Sequence, residues 1–453
     1  MNARSGSSSR FPWRPCLGVF AVALAVRLFF LTLIPTDMLH PSTDWELDAI
    51  AMSLVTEGQF ANPYIEPTGP TAHLAPIPPL ILALIFKIFG ITMVGGIAGW
   101  LFRMVAQSAI WGLLPWIGQR TGLGWKAGLT GGLAGALWPQ FLAHGEALAA
   151  VLMGLLAMAM LRRWDSIRKG NADRPAFAPR PVSSLLLGAA FGISFHVQPV
   201  FLVVLLGYLA VEVWRRADRA RWGSAATVLL GAFLLSIPWG VRNYRTFDAV
   251  FFVRSNLGLE LRMGNHEGAT ANISDPHFND RPPHPRTHAS EAQRIREVGE
   301  VPYMRESRRE ALDWIRSHPS DFARLTAKRI RYFWLGPVDD PITAVAFLAL
   351  AALAAVGAVL ALRRLPAAGS AALLIPLLTY PLIYYLVPWQ HRYRFPIEWI
   401  LFLLAGAALW SLSGPGDTRS ERSAQPQQAD FGPDHPRPTV DSHRDPVLLG
   451  PSR

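Results

Sequence analysis

Ten apolar stretches separated by short polar segments constrain this chain more than any other feature. They lie at 17–36, 98–119, 127–143, 147–161, 184–197, 199–214, 224–240, 341–362, 367–387 and 395–413. A bilayer core needs about 20 apolar residues per helical crossing. In lipid each backbone polar group must be satisfied within the segment, so these stretches read as helices. Only 17% of the 453 residues are charged, against about 25% in soluble domains. An all-α polytopic membrane protein with about ten transmembrane helices follows. The first stretch is too long, and too closely followed by others, for a cleaved signal peptide.

The segment 76–90, PIPPLILALIFKIFG, is apolar but short, which suits an interfacial helix better than a span. Charge counting decides its placement. If it does not cross, four basic loops face the cytoplasm. They carry Arg120 and Lys126; Arg162, Arg163, Arg168, Lys169, Arg174 and Arg180; Arg215, Arg216, Arg219 and Arg221; and Arg363 and Arg364. If it crosses, all of them move outside. The segment is therefore expected to lie on the outer face of the cell (inner) membrane, with both termini cytoplasmic. The organisation that follows is a cytoplasmic N-terminus at 1–16 and a membrane domain at 17–413. The domain includes a first outer loop at 37–97 and a large outer loop at 241–340. A polar, Pro-rich tail at 414–453 reads as disordered and cytoplasmic. In the large loop, 266–290 reads as irregular and 291–317 and 319–334 as helices. Ser317 is a plausible N-cap of the second, and Phe322, Leu325, Ile330, Tyr332 and Phe333 form its apolar face.

The net charge of +11 points to anionic lipid headgroups rather than nucleic acid in a chain of this kind. The single cysteine, Cys16, excludes an intramolecular disulfide and a cysteine zinc site. There is no Walker motif, so ATP-driven transport has no support, and GLGWKAG at 122–128 follows no strand.

Polar groups gather at the expected outer face. STDWELDAIA at 42–51 places Asp44, Glu46 and Asp48 just beyond the first span. Leu47, Ile50, Ala51 and Leu54 make 43–57 an amphipathic surface helix. Glu46 has two readings. With Thr43 it fits a capping box, which only ties down the helix start; beside bound lipid headgroups it fits a general base. His144 and Glu146 sit at the next outer turn, where they could orient a hydroxyl or simply be hydrated. Arg242, in PWGVRNYR, is placed either to snorkel or to hold a phosphate. The turn PWQHRYRFP packs His391, Arg392 and Arg394 between two spans. The positive-inside rule disfavours such a cluster outside, so an anionic group is expected opposite it. Arg27 lies inside the first span, where a charge is costly. His266, His277, His284 and His288 lack ligand spacing and read as surface loop.

Four segments together resemble bacterial glycosyltransferase family 39 proteins, of the protein mannosyltransferase and aminoarabinose transferase superfamily. They are WELDAIAMSLVTEGQFANPYIEPTGPTAHLAPIPPLILALIFKIFG, SIPWGVRNYRTFDAVFFVRSNLGLELRMGNHEG, ALDWIRSHPSDFARLTAKRIRYFWLGP and YPLIYYLVPWQHRYRFPIEWILFLLAG. The resemblance implies a GT-C fold with juxtamembrane helices in the first outer loop and a polyprenyl-phosphate-sugar donor. It puts the catalytic carboxylate at Glu46, with Asp44 the competitor because relatives often carry an Asp-Glu pair. It puts a second acidic position at Glu146, and phosphate-binding cations at Arg392 and Arg394, with Arg242 beside them.

The expected activity is inverting glycosyl transfer from that donor to an extracytoplasmic lipid, glycan or protein. No cofactor is required; a divalent metal between carboxylate and phosphate is compatible with the chemistry. A transporter or flippase of lipid-linked sugars is the alternative, but it would place its polar groups at mid-membrane on broken helices. A non-catalytic scaffold would need no carboxylate cluster facing arginines.

Overall fold

A computed structural model describes residues 11–138, 146–168, 181–215, 219–273, 282–336 and 341–412. Among them there are α-helices and short 3-10 turns, with two isolated bridges and no strand. The expected tail at 414–453 lies outside the described residues.

The ten expected spans correspond one to one to helices. They are α1 (Trp13–Leu31), α4 (Met93–Thr121), α5 (Trp125–Leu137), α6 (Glu146–Arg168), α7 (Pro181–Phe195), α8 (Phe201–Arg215), α9 (Arg219–Phe247), α14 (Pro341–Arg364), α15 (Ala367–Thr379) and α16 (Phe395–Leu412). Seven segments are long and apolar enough to cross a membrane. The other three helices, α5, α7 and α8, have 13, 15 and 15 residues. The chain is a polytopic all-α membrane protein.

The glycines of α5 have a packing role. A Cβ on Gly128 would collide with the backbone of Leu114 in α4, and one on Gly131 with that of Phe402 in α16. Small residues let helix backbones approach where lipid offers no hydrophobic drive between them. The same device joins α7 to α9, where a Cβ on Gly188 would strike the Val228 carbonyl. Arg27 is fully buried in α1 and donates to the Ala23 carbonyl at 2.9 Å and to the Ala136 carbonyl, in the last turn of α5, at 3.3 Å. Its partner is thus the negative end of a helix rather than a carboxylate. Deeper in the bundle, Arg163 of α6 grips both oxygens of Glu212 of α8 at 2.7 and 2.8 Å, with Ser184 and Ser224 taking the remaining donors.

The first outer loop contains α2 (Glu46–Thr56) and α3 (Ile77–Phe89). At about 1.5 Å per residue, α3 is about 20 Å long, short of a full crossing, as is the 13-residue α5. It buries Leu82, Ala83 and Phe86, and leaves Leu80, Leu84 and Ile88 exposed. The large loop contains α10 (Leu257–Gly264), α11 (Ala289–Val298), α12 (Glu300–Ser317) and α13 (Pro319–Leu335). Tyr64 of the first loop joins Leu259, Met263, Ile295, Tyr303 and Met304 of the large loop in one small core. Two sequence expectations change here. Ser317 does not cap α13; its hydroxyl donates back to the Asp313 carbonyl at 2.5 Å and so closes α12. Ile330 is exposed, because Arg329, Leu325 and Phe333 take the buried face.

Candidate functional site

The chemistry collects where the loops at 37–97 and 241–340 meet the ends of α6 and α16. Glu46 opens α2, with Trp45 as N-cap and no side-chain cap hydrogen bond. The capping-box reading therefore fails: Glu46 is itself the first helical residue and Thr43 lies outside the helix. The Glu46 carboxylate instead faces His73, with Nε2 3.6 Å from Oε1. The other ring nitrogen, Nδ1, is 3.0 Å from the Tyr64 hydroxyl. Burial pushes the Tyr64 phenol well up, so it stays protonated and can donate to Nδ1.

Glu300 holds this strand of loop in place. Its carboxylate accepts from the Thr71 hydroxyl, from the Ala72 amide at 2.8 Å and from the Ser255 hydroxyl at 2.6 Å. Ser255 also donates its amide to the Ala72 carbonyl. A single carboxylate at the start of α12 thereby fixes the residues next to His73.

Burial alone would raise the Glu46 carboxyl. The hydrogen bond and charge of His73, with the fields of His284 and Arg286, hold it down at about 2. His284 is itself pushed down to about 4, chiefly by burial, so Arg286 supplies a field that persists at neutral pH. The Glu46 side chain keeps 22% of its surface accessible and Arg392 keeps 44%.

Glu146 and Arg392 form the second part of the site. Arg392 lies 3.7 Å from Glu146 Oε1 and donates Nε to Gln390 at 2.7 Å. Glu146 Oε2 is buried and accepts no hydrogen bond from a described residue. The carboxylates whose charge reaches Arg392 are Glu146, then Glu46 and Glu260. Arg254 is half-buried beside Tyr384 and Tyr393, and has no acidic partner among the described residues. Tyr393 stacks on Tyr384 at 4.5 Å between ring centroids.

A small apolar cleft lies between α2, α3, α4 and α6. Pro78, Ile81, Leu82, Ile85 and Phe102 line it, with Ala147 next to Glu146 at one side. Arg103 is its charged wall residue and lies 3.7 Å from Asp48.

The remaining expected residues stand apart. Arg394 is 1% exposed. Its guanidinium is taken up by Glu398 and by the carbonyls of Phe333 and Trp334, and it lies 4.2 Å from the Phe347 ring centroid. All three of its nitrogens are engaged and the residue is buried, so it is not presented to a phosphate as Arg392 is. Arg242 donates to the Phe60 carbonyl and to Asn243 at 3.1 Å each, and packs against Phe60, Trp239 and Phe247. It ties the first loop to α9. Asp44 is exposed and outside the Glu46 cluster. His391 packs against Trp389 and Phe347. His144 lies outside the described residues, as does His277.

Sequence reasoning did not single out His73, Tyr64, Arg286 or Arg254, and it read His284 as plain surface loop. The GPTAH and FFVRSN stretches carried two of these residues, but nothing local marks them. For a metal, no group of three or more His, Cys, Asp or Glu side chains is suitably placed among the described residues. Both His73 nitrogens are already committed, to Tyr64 and to Glu46.

No family model and no curated protein sequence matches the chain. Solved structures share its fold. The archaeal oligosaccharyltransferase AglB from Archaeoglobus fulgidus, in complex with an inhibitory peptide and a dolichol-phosphate, superposes with a TM-score of 0.53 at 13% identity. That match covers 94% of this chain and 53% of the other. The apo oligosaccharyltransferase from the same organism gives 0.50 at 12% identity, over 89% and 51% of the two chains. This chain thus spans about half the length of these structures, and it has the GT-C-like membrane architecture they share.

Proposed function

We propose that the chain is a membrane glycosyltransferase of the family 39 type. It would move a sugar from a polyprenyl-phosphate donor to an acceptor hydroxyl at the outer face of the membrane. One observation carries this reading: Glu46 is held ionised beside His73, its charge and that of Glu146 act on Arg392, and an apolar cleft reaches Ala147 next to Glu146. One structure of the same fold holds a dolichol-phosphate, a lipid of the proposed donor class.

In this reading the isoprenoid chain occupies the cleft between α2, α3, α4 and α6. The phosphate meets Arg392, with Arg254 as the second cation. The acceptor oxygen attacks the anomeric carbon from the face opposite the phosphate, the carbon–oxygen bond to phosphate breaks, and polyprenyl phosphate leaves. Glu46 takes the hydroxyl proton. A carboxyl held near 2 is a weak base, so the proton moves late, once bonding to carbon has made the hydroxyl acidic. Phosphate is a good leaving group, and the arginines offset the charge that grows on it. Tyr64 and His73 orient the base, and no step runs through a metal. The transporter reading has less support. Arg27 and Arg163 are already hydrogen-bonded within the bundle, the latter through all three of its nitrogens.

Glu46→Gln tests the proposal. Release of polyprenyl phosphate from a panel of polyprenyl-phosphate hexoses and pentoses is measured, with membrane extract as acceptor source. Turnover should fall by about 100-fold or more while donor binding and melting temperature hold. Near wild-type turnover in Glu46→Gln would remove the base from this residue.

A further inference from the structure

The geometry points to α13 as a docking surface for anionic phospholipid headgroups of the leaflet beside it. One face of this helix is clamped to the outer end of a membrane segment. Trp334 donates to the Tyr385 hydroxyl at 2.8 Å, Phe333 stacks on Tyr384, and Arg329 donates to the Leu386 carbonyl at 3.2 Å. Tyr385 ends an apolar segment of membrane-crossing length, Ala367–Tyr385. These contacts set the C-terminal half of α13 at the level where hydrocarbon gives way to headgroups.

The opposite face carries Arg324, Lys328 and Arg331 at i, i+4 and i+7, all exposed. This spacing aligns them in one stripe. Arg324 is paired with Asp321. Lys328 has no acidic partner among the described residues, and Arg331 only lies over the Tyr332 ring at 4.8 Å. Beside the stripe, Ile330 and Leu335 are 38% and 37% exposed. A cationic stripe bordered by exposed aliphatic side chains is the pattern of a helix lying in the interface, with long basic side chains reaching phosphates. The occupant is a lipid rather than a soluble polyanion because the aliphatic border would face water if no bilayer adjoined it. The positive-inside rule disfavours unpaired cations on an outer segment, and a phosphate partner accounts for their presence.

The test uses the purified full-length chain in detergent, offered equal amounts of phosphatidylglycerol and phosphatidylcholine. Retained lipid is read by native mass spectrometry. Wild type should prefer phosphatidylglycerol, and Lys328→Gln and Arg331→Gln should each lower that preference about fivefold. The double variant should lose more, and Lys328→Arg should retain the preference. These side chains are exposed, so melting temperatures should match wild type; if the double variant does not fold, the single variants decide. Equal lipid retention in wild type and both single variants overturns the inference. So does a result in which the variants lose binding to dextran sulfate but keep their lipid, since the stripe then serves a soluble polyanion.

Discussion

Replacing His73 by Ala removes the contact that most strongly lowers the Glu46 carboxyl. The drop from 4.5 to about 2 corresponds to about 3 kcal/mol in favour of the ionised form. His73 provides it through its hydrogen bond and charge, against a burial penalty of opposite sign. Without the imidazole, burial is opposed only by the more distant His284 and Arg286, and the carboxyl should rise to about 4.5 or above. The sign for stability follows. A carboxyl more acidic in the folded chain than in the unfolded one stabilises the fold above about pH 4.5, and the gain is lost as pH falls toward 2. For activity, the wild-type kcat/KM profile should show no limb from Glu46 between pH 4 and 7. In His73→Ala a limb should appear in that range and lower the rate at pH 4.5 by about twofold or more relative to pH 7. Tyr64→Phe keeps the imidazole but frees Nδ1, so its limb should move less. Donor turnover in detergent across pH, with Glu46→Gln as the control lacking the base, is the assay. A His73→Ala profile superimposable on wild type would refute the link between this contact and the base.

Other perturbations separate residues that look alike in the sequence. Arg392→Ala should weaken donor binding by about 1.5–3 kcal/mol with little effect on folding, read by donor titration. Arg254→Ala should act in the same direction, because its guanidinium has no carboxylate partner among the described residues. Arg394→Ala should do the reverse, costing about 3–5 kcal/mol of stability by breaking the buried pair with Glu398, and showing first as a lowered melting temperature. Glu212→Ala should likewise destabilise the bundle, since it leaves Arg163 buried and unpaired while donor affinity of the folded fraction is kept.

Where the physics is local, the sequence was informative. Run length and apolarity predict α1, α4, α6, α9, α14 and α16, because lipid forces each span to satisfy its own backbone. The 3.6-residue period predicts α2, and the brevity of the apolar run predicts that α3 stops short of crossing. The Glu46 position was legible as an acid just past a span. That it faces His73 rather than capping the helix was not, since that depends on where the helix begins and on what packs against it. His73 and His284 are 27 and 238 residues away in the chain, and only the docking of the two outer loops through Glu300 and Tyr64 brings them to the carboxylate. The two arginines of the HRYR turn differ for the same reason. Arg392 faces Glu146, whereas Arg394 stands one helical turn before Glu398 and folds onto it. That i, i+4 pair was visible in RFPIE, but whether it forms depends on the rotation of α16 against Phe333 and Phe347. Composition and periodicity set which segments become helices. Which of several identical side chains keeps a free charge is decided by packing, because a buried cation must spend its donors on the nearest acceptors.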